Sequence, residues 1–291
     1  MNEINLTQET WSLAEPLKQC CIYNICYPCM LRAATNPIIF LHGHSFNKNN
    51  PPESSINTFS KIQRKLSDEG VIINAGDIDY TSVNQGVWSQ MVPPIGVRAT
   101  YYYISYYDAE SLTKSIQKEE SIESYSIRLK ELIELVLLQT RAEKVVIVAH
   151  SMGGLVTQNY MMLFGEDKVS ELILIGTPNK GVAGNIEKLC GYFGSKRSCR
   201  DLSSESVILK KLAQYTPSVP IKVIVGRGCD TAGADGDGVV QVQSAELSYA
   251  NMTYIDGTCE DFSGISLHND LLDQEKYPQV YDTLKLWLAY R

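Results

Sequence analysis

Residues 145–154 read VVIVAHSMGG, a stretch whose two halves ask for different backbones. The first half, 145–149, is apolar and mostly β-branched, as in a strand buried on both faces. The second half opens a helix that runs through Phe164. Between them stands Ser151, with His150 before it and Gly153 and Gly154 shortly after. A sharp strand-to-helix turn needs small residues because the two backbones nearly collide. Such a turn lifts the serine hydroxyl above the sheet edge, over a helix N-terminus whose dipole and free N–H groups favour an oxyanion. The plain alternative is a glycine-bearing connection with an incidental serine.

Outward from this unit, strand-like apolar runs recur at 37–41 (PIIFL), 71–75 (VIINA), 99–107 (ATYYYISYY), 172–175 (LILI), 223–225 (VIV) and 252–255 (MTYI). Helical periods separate them. One covers 59–69 and stops at Gly70; another, Ile122–Thr140, repeats apolar residues at Ile122, Tyr125, Leu129, Ile133 and Val136. A last helix carries a stripe of Val280, Leu284 and Trp287. Strands alternating with helices predict an α/β fold, a mostly parallel central sheet with helices on both faces. Residues 37–291 read as that domain, and 1–36 as an irregular, cysteine-rich extension packed on it.

The 291 residues are 44% hydrophobic and 20% charged, enough for one large domain with its own core. A formal net charge of −7 with no basic stripe argues against nucleic acid, whose phosphates need clustered Lys and Arg. The apolar runs are strand-sized, so no transmembrane segment is expected. The opening MNEINLTQET lacks the basic and apolar regions of a signal peptide. Eight cysteines nonetheless favour disulfides over buried free thiols. That points to a secreted or cell-surface protein, with a thermophile cytosol as the alternative. Cys20, Cys21, Cys26 and Cys29 read as disulfide-forming, since adjacent cysteines make a tetrahedral zinc site awkward. Cys229 and Cys259 each lie four residues beyond the end of a strand run, Val225 and Ile255. If those runs are parallel neighbours with Val225 level with Ile255, both thiols emerge together about 4.8 Å apart in the strand-spacing direction, within bonding range.

The hexapeptide AHSMGG at 149–154 resembles the G-H-S-M-G-G elbow of the lipase and esterase branch of the α/β-hydrolases, with Ala149 in place of the first glycine. Further likenesses run in order over roughly 37–290: PIIFLHG at 37–43, GTPNKG at 176–181, Asp201-Leu202 before a helix, GDGVV at 236–240, and His268 before a Leu-rich helix start. Residues 1–36 and 76–98 carry no such likeness. The resemblance implies an α/β-hydrolase fold with a small cap or lid insertion at about 181–219, and Ser151 as nucleophile. In that architecture the base follows the last strand, which among His42, His44, His150 and His268 selects His268. Serine attack needs an imidazole-type base with a pKa near neutrality. From sequence, His150 points away from Ser151, and His42 and His44 line the oxyanion wall. The acid belongs on the turn after IKVIV, where Asp230, Asp235 and Asp237 all stand. The glycines of GDGVV allow a turn that aims Asp237 inward, and the resembling lipases carry their acid there; Asp237 is favoured, with Asp235 next. The resemblance also places the backbone N–H groups of His44 and Met152 in an oxyanion hole.

The expected function is that of a serine hydrolase cleaving a small-molecule or lipid carboxylic ester. An acyltransferase or thioesterase would use the same three residues with another acceptor or substrate. A non-catalytic binding protein on this scaffold would normally have lost one of them. No cofactor is expected, because no G-x-G-x-x-G follows a strand and no His-based metal cluster is evident. SLHND at 266–270 resembles the segment that holds a calcium-binding Asp in larger bacterial lipases, which would make Asp270 a calcium ligand. No second carboxylate is evident, and one does not build a six-to-eight-oxygen cage. The tyrosines of 101–107 are expected to fill the core and one cleft wall.

Overall fold

The computed structural model describes residues 19–22, 25–28, 35–44, 52–79, 82–83, 88, 93–108, 111–116, 120–184, 196–259 and 266–289. They fall in two compact units, Met1–Leu31 and Arg32–Arg291. In the first unit β1 (Gln19–Ile22) and β2 (Ile25–Pro28) pair antiparallel, with Cys21 opposite Cys26. The lead-in read as irregular therefore contains a hairpin. Cys29 lies outside the described residues.

The second unit contains, in chain order, β3 (Ile38–Leu41), α1 (Pro52–Ile56), α2 (Ser60–Asp68), β4 (Ile73–Asp79), β5 (Ser82–Val83) and β6 (Ile95–Ala99). The hairpin of β7 (Tyr103–Asp108) and β8 (Ser111–Ile116) follows, then α3 (Ile122–Thr140), β9 (Val145–His150), α4 (Met152–Phe164) and β10 (Val169–Ile175). Next come α5 (Lys196–Leu202), α6 (Val207–Leu212), β11 (Ile221–Arg227) and a small hairpin of β12 (Cys229–Thr231) and β13 (Ala234–Gly236). The chain closes with α7 (Val242–Ala245), β14 (Asn251–Asp256), α8 (Ser266–Asp270) and α9 (Pro278–Ala289).

The main sheet has the order β14-β11-β10-β9-β3-β6-β4-β5, seven parallel strands and the short antiparallel edge β5. Its central strands are near-continuous apolar runs because both faces are covered. Ile39, Leu41, Val145, Ile147, Ala149, Leu172 and Leu174 join one core with residues of α3 and α4. The alternate residues Ile38, Phe40, Val146, Val148, Ile173 and Ile175 join the other with residues of α2 and α9. α3 starts at Ser121, whose hydroxyl accepts from the Ser124 N–H at 3.2 Å and so satisfies an orphan donor of the first turn.

The run at 99–107 is not one strand. The sheet strand is β6, residues 95–99 (IGVRA), and the chain leaves the sheet after Ala99 before β7 begins at Tyr103. Tyrosine favours strands, but Tyr101 and Tyr102 are fully buried against His42 and Tyr125, and that packing turns the backbone out of the sheet. β11 and β14 are parallel neighbours, with Val225 opposite Tyr254 and Gly226 opposite Ile255, one residue from the level assumed for the cysteine pairing. Cys229 and Cys259 are disulfide-bonded all the same, Cα to Cα 5.5 Å, because both lie beyond the strand ends where the backbone absorbs the offset. Cys199 is also disulfide-bonded.

Of the segment expected to form a cap, residues 185–195 lie outside the described residues. In the described part, Leu202, Ile208, Leu209 and Leu212 of α5 and α6 are buried in the same core as α3 and α4. Among the described residues no helix is long and apolar enough to cross a membrane. The topology fixes where a site can form. From β3 the chain turns toward the β5 edge, whereas from β9 it proceeds toward the β14 edge. The two adjacent connections part in opposite directions and leave a crevice at the carboxyl ends of β3 and β9.

Candidate active site

Ser151 sits in that crevice, joining β9 to α4 with φ +52° and ψ −128°. A residue with a Cβ holds such a backbone at a cost of order 1–3 kcal/mol, so the surroundings must enforce it. Its N–H donates to Ile175 O at 2.9 Å and its carbonyl accepts from the Gly154 N–H at 3.0 Å, which fastens the turn to β10 and to its own helix. The loop after β3 runs directly against it. A Cβ on Gly43 would stand 2.6 Å from Ser151 Cβ, so only glycine fits.

His268, on α8, is fully buried with both ring nitrogens engaged: Nε2 lies 3.0 Å from Ser151 Oγ and Nδ1 lies 2.8 Å from Asp237 Oδ2. An ionised carboxylate only accepts, so Nδ1 carries the proton and Nε2 is left to accept from the serine hydroxyl. Asp237 is gripped from behind. Its Oδ1 accepts from the N–H groups of Val239 at 2.9 Å and Val240 at 2.7 Å, and its carbonyl accepts from the His268 N–H at 2.9 Å. Asp230 and Asp235 take no part. Both are exposed around the β12–β13 hairpin, where Asp235 Oδ1 accepts from the Gly228 N–H at 2.6 Å and Asp230 Oδ1 from the Gly233 N–H at 2.8 Å.

Two neighbours of this series were not given a role from the sequence. Gly176, at φ +54°, passes so close that a Cβ there would lie 3.1 Å from Asp237 Oδ2 and 3.2 Å from His268 Nδ1. His150 packs onto His268: its Nε2–H donates to His268 O at 3.0 Å, with ring centroids 4.8 Å apart. Burial, reinforced by the neighbouring His268, pushes the His150 imidazole down to about 3 and keeps it neutral. A histidine before the serine is visible in the sequence, yet its partner lies 118 residues away.

Met152 is buried at the first position of α4, where a backbone N–H has no intrahelical acceptor. His44 follows Gly43 and is partly buried. His42 turns into the core, with Nε2 2.7 Å from Thr100 Oγ1. Asp270, which the resemblance alone would make a calcium ligand, pairs with Lys276 Nζ at 2.7 Å. Among the described residues no group of three or more His, Cys, Asp or Glu is arranged to hold a metal ion.

Residues 113–222, somewhat over a third of the chain, match the family model described as lecithin:cholesterol acyltransferase. Among solved structures, the chain is similar to phospholipase PlaB from Legionella pneumophila, with a TM-score of 0.54 and 15% identity over 87% of this chain and 62% of that one. It is similar to a gene product of Listeria innocua at a TM-score of 0.56 and 15% identity, covering 88% of this chain and 94% of the other. It is also similar to a Bacillus licheniformis lipase in its mature form, at 0.52 and 14%, covering 88% and 93%. At these identities the likeness is one of fold, and the chain spans 62% of the length of the Legionella phospholipase. No curated protein matches the sequence.

Proposed function

We propose that this chain, which belongs to the α/β-hydrolase superfamily, is a serine hydrolase that cleaves carboxylic esters, lipid esters among them, through an acyl-enzyme on Ser151. The observation that carries the reading is the hydrogen-bonded series Asp237–His268–Ser151 at 2.8 and 3.0 Å. Ser151 Oγ attacks the ester carbonyl carbon while His268 Nε2 takes its proton, and the Asp237 carboxylate stabilises the imidazolium. The carbonyl electron pair moves onto oxygen, where the N–H groups of Met152 and His44 receive it. Collapse breaks the bond to the alcohol, which leaves with the proton from His268. Water then gives a proton to His268 and attacks the acyl carbon; Ser151 recovers its proton and the acid departs.

The match of 113–222 to an acyltransferase family favours one second reading, in which an acceptor alcohol replaces water at the acyl-enzyme. The same residues serve both, and product analysis separates them. Short- to medium-chain esters are expected to be preferred over long-chain triacylglycerols, given the modest length of 181–219. The test is a p-nitrophenyl ester chain-length series above and below substrate solubility, with and without a competing alcohol. Wild type turns over and Ser151→Ala loses several orders of magnitude in kcat. Residual Ser151→Ala activity within about tenfold of wild type would sink the assignment, and acyl transfer outrunning hydrolysis would select the second reading.

A further inference from the structure

The loop that carries His44 is gripped from beneath by a buried aromatic cluster. Tyr101 and Tyr102 stack at centroid distances of 4.5 and 4.6 Å from His42 and 4.7 and 5.6 Å from Tyr125. Their hydroxyls reach successive carbonyls of the loop. Tyr101 Oη donates to His42 O at 3.0 Å and lies 3.4 Å from Gly43 O; Tyr102 Oη donates to Gly43 O at 3.3 Å. His42 Nδ1 is 2.7 Å from the same Gly43 oxygen. A carbonyl only accepts, so Nδ1 carries the proton and Nε2 accepts from the Thr100 hydroxyl. Arg128 holds the other side of the cluster, donating to Tyr101 O at 3.0 Å.

The Gly43 C=O and the His44 N–H belong to one planar trans peptide and point to opposite sides of it. Two donors, Tyr102 Oη and His42 Nδ1, draw that oxygen down into the aromatic cluster, while Tyr101 Oη holds the preceding carbonyl, that of His42. The His44 N–H is thereby turned the other way, out of the cluster, on a loop whose Gly43 abuts Ser151. Two phenylalanines would supply the same aromatic packing, so what the phenols add is the pair of donated hydrogen bonds. Burial keeps the Tyr101 hydroxyl well above the usual phenol range and therefore a donor.

Resting on the reading of Ser151 as nucleophile and the His44 N–H as an oxyanion donor, we propose that Tyr101 and Tyr102 are positioning residues that lock the Gly43–His44 peptide in its oxyanion-binding orientation. They touch no substrate. Their contribution is preorganisation: a donor already aimed where charge develops needs no reorganisation during the reaction.

The test compares Tyr101→Phe, Tyr102→Phe and the double variant on soluble p-nitrophenyl butyrate. A trifluoromethyl ketone, which adds to the serine as a hemiketal oxyanion, supplies the second readout. Each single variant is expected to lower kcat roughly tenfold, and the double to approach the ~10²–10³ lost with a whole oxyanion donor. KM stays within about twofold, and ketone affinity falls in parallel with kcat. Tyr125→Phe is the control: its hydroxyl accepts from the Glu120 N–H at 3.2 Å in the same cluster but does not reach the loop, so kcat and ketone affinity hold. A double variant with kcat and ketone affinity within about twofold of wild type overturns the proposal, as does an equal loss in Tyr125→Phe. A wild-type protein that neither turns over an ester nor binds the ketone defeats the underlying functional reading, and the clamp falls with it.

Discussion

Removing the Cys229–Cys259 disulfide is expected to cost both stability and rate. The bond spans a sequence separation of 30 and encloses Asp237 and β14. In the chain-entropy model a loop of that size contributes about 3.6 kcal/mol at 25 °C. Unfolding entropy of about 2.1 cal/mol/K per residue, summed over the 260 residues from Arg32 to Arg291, gives about 0.55 kcal/mol/K. The corresponding fall in Tm is roughly 6–7 °C. The effect on rate has a separate cause. Cys259 Sγ lies 3.7 Å from Asp237 O, the carbonyl that also receives the His268 N–H, so the bond braces Asp237 and His268 where the two are joined. The perturbation is Cys229→Ser/Cys259→Ser, not a reductant, because Cys199 is also disulfide-bonded. Calorimetry reads the melting temperature, p-nitrophenyl butyrate turnover reads the rate, and peptide mapping of unreduced wild type verifies the link. A double variant that melts within about 1 °C of wild type refutes the entropic argument, and an unchanged kcat refutes the brace. Finding both cysteines alkylatable in native, unreduced protein removes the premise.

Asp237→Asn is expected to lower kcat on the order of 10⁴, because the amide favours the wrong His268 tautomer, while Asp235→Asn and Asp230→Asn stay near wild type; a dead Asp235 variant would show the acid misassigned. Gly43→Ala is expected to abolish turnover, since its Cβ would meet Ser151 Cβ at 2.6 Å; an active alanine variant would contradict the packing. His150→Phe keeps a ring on His268 but strands the His268 carbonyl, at a cost of about 1–3 kcal/mol measured by urea denaturation at pH 7.5. The pH dependence follows from the depressed imidazole, about 3 when folded against 6.5 unfolded. Between those values the unfolded chain binds the extra proton, so the stability associated with neutral His150 is whole above pH 6.5 and lost as pH falls, about 1.4 kcal/mol per unit. Over the two units from pH 6.5 to 4.5 this removes about 2.7 kcal/mol, so the gap between wild type and His150→Phe is expected to close or reverse by about pH 4.5, and a constant gap would contradict a neutral buried His150.

The parts of this fold that could be read from sequence are those where one local pattern settles the backbone. β9 is apolar throughout because both faces are covered, α3 keeps its helical period from Ile122 to Thr140, and α4 follows a turn that only small residues permit. β6 was hidden for a physical reason. The tyrosines that follow it have stronger strand preference than IGVRA itself, and only their burial against His42 and Tyr125 takes them out of the sheet. The candidate site divides in the same way. Ser151 and Asp237 lie on turns whose glycines stand beside them in the sequence, and chain order singles out His268. The support around them is made of contacts between distant residues: His150 to the His268 carbonyl, Tyr102 to the Gly43 carbonyl 59 residues away, and Gly176 against Asp237. No local pattern encodes such pairs, so they required the assembled sheet.

The central claim is that Ser151, activated through His268 by Asp237, forms the acyl-enzyme. It is tested most directly by fluorophosphonate labelling, in which serine oxygen displaces fluoride at phosphorus, read by intact mass and peptide mapping. The account predicts one adduct per chain, on the peptide bearing Ser151, absent from Ser151→Ala and strongly slowed in Asp237→Asn. An adduct on any other residue, or unlabelled protein that still turns over esters, would contradict it.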